Sequence, residues 1–255
     1  MADEVCMTEI IAVASSKGGV GKTTTSFSLA AAAGLQGSVI VVDLDPSISL
    51  TTQMQVPITG ATIEDVLLGR STLEDALIQT KEGILVIPGS RNSFSVDLTL
   101  DLLERTFAPV VDVADTLILD TRPALESLGN VMRFSTKTVI PTYLDGVSMP
   151  VTADTIHLAL EIGVADKIAG VLATNVRRPL TKLARDLYAS LQMSGVGLEA
   201  VVWNTVQWPT ALASGGLGGF PELMEAATVI YDEVRSRTSP QVALRLYSEA
   251  WRKTA

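Results

Sequence analysis

Apolar residues are spaced along this chain in two rhythms. Short runs rich in Val, Ile and Leu, bounded by Gly, Pro or Asp, fall at 9–14, 38–44, 84–87, 116–119, 138–140, 168–173 and 198–203. Runs of this kind predict seven buried strands. Between them, stretches with helical spacing lie at 23–35, 63–68, 98–107, 153–161, 180–191 and 221–237. Strands alternating with helices imply right-handed crossovers and an α/β fold: a mainly parallel, twisted sheet of about seven strands flanked by helices. In such sheets ligands sit beyond the carboxyl ends of the strands, so the residues that follow each strand are the candidates for chemistry.

Two further stretches lie outside this alternation. The glycine-rich segment 213–219 does not link a strand to a helix, and it reads as a flexible loop. The stretch 241–253 places Val242, Leu246 and Ala250 on one helical face, which predicts a terminal helix docked on the core through those residues; a helix lying on a membrane surface is the alternative.

A length of 255 residues with 47% apolar content suits one large core, so a single domain over 1–255 is expected. The lone cysteine, Cys6, has no internal partner, and the acidic start (Asp3, Glu4, Glu9) is unlike a signal peptide; a reducing, cytoplasmic setting is expected. The longest apolar stretches, 28–35 and 39–42, fall short of the roughly 20 residues that span a bilayer, so no stable membrane insertion is expected.

The net charge of −9 argues by itself against a nucleic-acid partner. Its distribution changes that picture. Residues 1–130 hold 7 basic and 17 acidic side chains, whereas 131–255 hold 12 basic and 11 acidic. In the second part Arg177, Arg178, Lys182 and Arg185 form one basic group, and Arg235, Arg237, Arg245, Arg252 and Lys253 another. They are candidate DNA contacts, chiefly Arg177, Arg178, Lys182, Arg185, Arg235 and Arg237; a solvated helix face is the plain alternative for each.

The chemistry concentrates after the first strand, where the chain reads Lys17-Gly18-Gly19-Val20-Gly21-Lys22-Thr23-Thr24 before an alanine-rich helix. Glycines allow a tight path that turns several N–H groups toward one anion, and the helix adds its positive end. Lys22 would neutralise β- and γ-phosphate charge, the Thr23 hydroxyl would coordinate Mg²⁺, and Thr24 would bond the α-phosphate. The common pattern is G-x-x-x-x-G-K-S/T, and Ser16 stands at its first glycine.

That departure resembles the deviant Walker A motif, K-G-G-x-G-K-S/T, of the ParA/MinD family of ATPases. The resemblance implies ATP and Mg²⁺ as cofactors, and it implies that Lys17 crosses an ATP-sandwiched homodimer interface to the partner subunit's phosphates. The catalytic set it implies is Lys17, Lys22 and Asp45. Asp45 lies in Asp43-Leu44-Asp45-Pro46, which is similar to the family's D-x-D-P motif with its water-positioning aspartate; Asp43 is the companion acid. A turn or a helix cap would also account for two acids at a strand end. Leu117-Ile118-Leu119-Asp120 resembles a Walker B strand, so Thr23, Asp43 and Asp120 form the expected metal set. After Asp120 the family commonly has Thr-Pro-Pro, whereas this chain has Thr121-Arg122-Pro123 at the start of the expected switch segment, 122–129. Ser47 likewise replaces a common glutamine. By position alone Asn175 and Asn204 match adenine contacts, although turn-forming asparagines would look the same.

A ParA-type partition ATPase is the first functional expectation: a weak, Mg-dependent ATPase, nucleoid-associated, whose dimer binds DNA without sequence preference. A ParB-like partner would stimulate hydrolysis. The alternative is a MinD-like membrane-associated or cargo-positioning ATPase. One cysteine argues against a shared iron–sulfur cluster, which needs two per subunit. With a first strand so near the start, a sequence-reading helix-turn-helix ahead of it is not expected.

Overall fold

The computed structural model describes residues 7–93, 96–111, 113–204 and 207–252. Its first half runs β1 (Glu9–Val13), α1 (Lys22–Ala33), β2 (Val39–Asp43), α2 (Ser49–Gln53), α3 (Ile63–Leu67), α4 (Leu73–Ala76), β3 (Ile78–Gln79), β4 (Leu85–Ile87), α5 (Leu100–Phe107) and β5 (Thr116–Asp120). The second half runs α6 (Leu125–Phe134), β6 (Lys137–Tyr143), α7 (Ser148–Glu161), β7 (Ile168–Val176), α8 (Lys182–Met193), β8 (Gly197–Trp203), α9 (Gln207–Ser214), α10 (Pro221–Ser236) and α11 (Gln241–Arg252).

The strands form one sheet in the order β3-β4-β2-β5-β1-β6-β7-β8. Every described pairing is parallel except that of β3 with β4. Strand side chains alternate between the faces. Ile11, Val13, Val41 and Ile118 therefore point toward Phe27 and Leu29 of α1 and Tyr231 and Val234 of α10. Their neighbours Ile10, Ala12, Val42 and Leu119 meet Ile63 of α3 and Leu103 and Phe107 of α5. A third cluster joins Ile140 and Val171 to α7, α8 and α11. Because both faces are covered, the central strands are apolar throughout, as a parallel sheet requires.

All seven predicted strands are present, and the sheet has an eighth. The added β3 is two residues long and pairs antiparallel with β4, too short to leave a pattern in sequence. The expected switch segment is mostly helix, since α6 begins at Leu125.

The terminal helix docks through a different face from the one predicted. Leu244, Tyr247 and Ser248 are buried against α7, with Ser248 Oγ donating to the Ala153 carbonyl at 3.4 Å. Val242 and Leu246 point outward and are 76% and 62% exposed. Positions 244, 247 and 248 form an i, i+3, i+4 stripe of their own, and two small or polar members hid it. Ala250 lies where no side chain is described. The glycine-rich segment also has partners: the Glu82 carboxylate accepts from the Gly218 N–H at 2.8 Å, and Leu217 is fully buried.

Candidate nucleotide site

β1 ends in the centre of the sheet, and the loop that leaves it turns into α1 across the strand ends. Two of its glycines have left-handed backbones, Gly19 at φ 73° and Gly21 at φ 88°. At Gly21 a Cβ would also stand 3.2 Å from Thr174. Thr174 donates its hydroxyl to the Val20 carbonyl at 2.6 Å, so β7 fixes the middle of the loop from below. Ser16, which replaces the first glycine of the common pattern, shares a 3.1 Å hydroxyl contact with Thr155 of α7. No side chain caps α1, and no acid sits in its first turn, so its N–H groups and positive dipole end face the cleft.

Lys22 is buried, and its ammonium donates to the Lys17 carbonyl at 3.1 Å, inside the loop. Burial lowers its pKa, an effect opposed by the charges of Asp120 and Asp45. Lys17 lies outside the cradle. Its ammonium donates to Ser148 Oγ at 2.7 Å and stands 4.0 Å from Asp145 Oδ1. The same Asp145 oxygen accepts the Val147 and Ser148 N–H groups at the start of α7.

The two strand-end acids are placed by register. Asp43 of β2 lies opposite Asp120 of β5, and both are fully buried. Asp120 accepts from Thr23 Oγ1 at 3.0 Å and from Ser26 Oγ at 2.9 Å. Its pKa rises to about 8, first through burial and then through the charge of Asp43. Asp43 is raised to about 6 by burial, against the bonds it accepts from the Thr51 N–H (2.9 Å) and hydroxyl (2.7 Å). Its other oxygen accepts the Asp45 N–H at 3.2 Å. Asp43 thus shapes the strand end, while Asp45 is half-buried and lines the open cleft.

That cleft, about 630 Å³, has Gly18, Gly19, Lys22 and Thr23 on one side and Asp45, Gln53 and Arg122 on the others. A nucleotide phosphate chain fits the donors: an uncapped helix start, left-handed glycines and a buried lysine. Among the described residues no group of three or more His, Cys, Asp or Glu could hold a metal alone. Thr23 with Asp120 behind it matches an ion that keeps most of its water and shares phosphate oxygens, which suits Mg²⁺.

Other predicted residues are not gathered here. Asn175, itself left-handed at φ 54°, accepts a hydrogen bond from Asn204, so these two meet each other at the ends of β7 and β8. Asn204 lines a separate cavity with Arg178 and Trp208. The basic groups are split between opposite ends of the sheet. Arg177, Arg178, Lys182 and Arg185 follow β7 and are exposed. Arg235 instead pairs with Glu9 at 3.0 Å at the start of β1, and Arg237 donates to the Gly195 and Gly197 carbonyls at 2.7 and 2.6 Å where the chain enters β8. Their donors serve their own chain. Arg252 and Lys253 carry no described side chain.

The sequence reading missed Ser26, Thr51, Ser148, Thr155 and Thr174. Ser26 was accessible: it stands three residues after Thr23, hence on the same helical face, as a polar residue in an apolar helix. The others act from distant segments.

With the cradle, the lysine pair and the strand-end acids in place, similarity becomes informative. Residues 8–159 match the AAA_31 family, described as an AAA domain. The chain belongs to the ParA/MinD family of P-loop ATPases. Among ParA/MinD relatives, the chromosome partitioning protein ParA of Caulobacter vibrioides is 30% identical over 132 residues, covering 47% of this chain and 49% of that protein. Cyanothece McdA, solved in complex with ATP, superposes with a TM-score of 0.75 at 18% identity over 89% of this chain and 96% of its own, a likeness of fold. Cobyrinic acid a,c-diamide synthase from Mycobacterium smegmatis, solved with an ATP analogue and magnesium, is 29% identical with a TM-score of 0.64, covering 73% of this chain and 82% of its own.

Proposed function

We propose that this chain is a partition-type switch: MgATP drives it into a homodimer, the dimer holds DNA without sequence preference, and hydrolysis releases it. The observation that carries this reading is Lys17. It is a second lysine at the cradle, yet its ammonium lies outside it, on Ser148. A cation placed there serves a neighbouring subunit's nucleotide better than its own.

The chemistry divides among a few residues. Lys22 and the loop N–H groups hold the phosphates. Thr23, with Asp120 behind it, would hold Mg²⁺, which would supply positive charge against the phosphates. Asp45, half-buried on the cleft wall, would orient the attacking water. Lys17 would cross to the partner's phosphates as negative charge develops there, the role of an arginine finger.

Beyond the cleft, the exposed Arg177, Arg178, Lys182 and Arg185 would meet phosphate backbones, and dimerisation doubles the patch. Arg235 and Arg237 are assigned structural roles instead. A ParB-like centromere-binding or adaptor protein would stimulate hydrolysis, which gives a cytoplasmic, nucleoid-associated cycle. The test is phosphate release with MgATP. Turnover that vanishes in Lys22→Ala supports the reading; turnover unchanged by that substitution defeats it.

One observation favours a second reading, a membrane-associated or cargo-positioning switch. Val242 and Leu246 of α11 face outward beside the exposed Arg245. Co-sedimentation with anionic vesicles that is lost in Val242→Asp would support it. Among the described residues no helix is long and apolar enough to cross a membrane.

A further inference from the structure

Arg122 occupies a position that the family commonly gives to proline, and its side chain joins two segments. Its Nε donates to Ser127 Oγ at 2.9 Å, in the first turns of α6. Its two terminal nitrogens donate to the Ser93 and Val96 carbonyls at 3.4 Å each, in the segment between β4 and α5. Ser127 in turn donates to the Ala124 carbonyl at 3.2 Å, closing the turn that leads into α6. A proline could make none of the three guanidinium bonds.

The backbone around this tether is held on the side before it as well. Thr121 Oγ1 donates to the Val13 carbonyl at 2.8 Å, which locks the residue before Arg122 to β1. Pro123 and Ala124, which follow it, line the nucleotide cleft. They lie three and four residues after Asp120, whose partner Thr23 marks the β- and γ-phosphate end of the cradle. The wall that Arg122 steadies therefore stands where a triphosphate and a diphosphate differ.

We infer that Arg122 is a positioning residue that sets the chain's discrimination between ATP and ADP, by holding the 122–127 wall against Ser93 and Val96 before nucleotide arrives. This rests on the nucleotide reading of the cleft. A wall already held in place costs the triphosphate less ordering on binding. The diphosphate does not reach the wall and gains nothing from it.

The experiment is calorimetric titration of the full chain with a non-hydrolysable MgATP analogue and with MgADP. Arg122→Ala is compared with Ser127→Ala and with Arg122→Lys. For Arg122→Ala the analogue's affinity is expected to fall about tenfold, the scale of losing charge-assisted bonds to one wall, with MgADP affinity unchanged within about twofold. Ser127→Ala keeps the cation, removes its 2.9 Å acceptor, and is expected to shift the same ratio by a smaller factor. Arg122→Lys retains one donor and is expected to restore part of the ratio. Hydrogen exchange in the analogue-free Arg122→Ala chain is expected to rise in both tethered segments. Equal losses for the two nucleotides, or an unchanged ratio in both Arg122→Ala and Ser127→Ala, would overturn the inference. A wild-type chain that binds neither nucleotide would overturn the nucleotide reading itself, and the inference with it.

Discussion

Asp43 and Asp120 face each other across β2 and β5, and both side chains are fully buried, so two carboxylates share one dry strand end. Neither is paired by a salt bridge among the described residues, and burial raises both above the unfolded value of 3.8, to about 6 and about 8. The native chain then holds protons that the unfolded chain releases. Stability from this pair is fully present below pH 3.8 and is lost as pH rises through about 6 and then about 8. The melting temperature of the nucleotide-free chain should fall over that window, and Asp120→Asn should flatten the fall. A melting temperature that rises steadily across the window would contradict it.

Lys17 should matter to turnover more than to folding. Ser148 is buried, but its charged partner Asp145 is well exposed, and the side chain of Lys17 is 25% exposed. Lys17→Ala is expected to leave the melting temperature nearly unchanged, because a part-exposed ion pair contributes little. Stimulated hydrolysis should fall by about a thousandfold, the scale of losing a charge aimed at a transferring phosphoryl group. Full turnover in this variant would remove the crossing role.

Gly21 is the position where the loop has least freedom to change. Its φ of 88° strains any L side chain, and a Cβ there would press Thr174 at 3.2 Å. Gly21→Ala should cost about 1–3 kcal/mol in denaturant unfolding, the scale of a forced left-handed residue. It should also weaken ATP binding, whereas Gly18→Ala, which meets nothing within 4 Å, should cost far less stability.

DNA retention, if the exposed group after β7 carries it, should be steeply salt-dependent. Replacing Arg177 and Arg178 with Ala should weaken binding for all sequences alike. The slope of log K against log salt should shrink by about 0.9 for each phosphate that is no longer neutralised. Replacing Arg235 should instead lower stability, because its guanidinium is tied to Glu9 and stacked over Tyr231 at 5.5 Å. Equal weakening of DNA binding from the two ends of the sheet would show that the patch was drawn wrongly.

How much of this was legible in the sequence depended on distance along the chain. The cradle is a contiguous string, and its strand-to-helix setting follows from local pattern, so both could be read directly. Asp43, Asp45 and Asp120 were legible as strand-end acids, but their division of labour was not. Thr51 decides it by taking one Asp43 oxygen, and nothing local to Asp43 signals that bond. Lys17 meets Ser148 across 131 residues and Val20 meets Thr174 across 154, pairings that only the sheet order creates. The face of α11 was misread because Ser248 and the half-polar Tyr247 gave its docking stripe little apolar signal. Arg235 and Arg237 counted as surface charge until the fold placed them against carbonyls and Glu9.

The most direct measurement is the mass of Asp45→Ala in solution, by light scattering after size exclusion, with MgATP and then with MgADP. The substitution should leave the cradle intact and stop turnover, trapping the ATP state. A dimer with MgATP and a monomer with MgADP is the expected result. A monomer with both, at nucleotide concentrations where binding is saturated, would contradict an ATP-timed dimer switch.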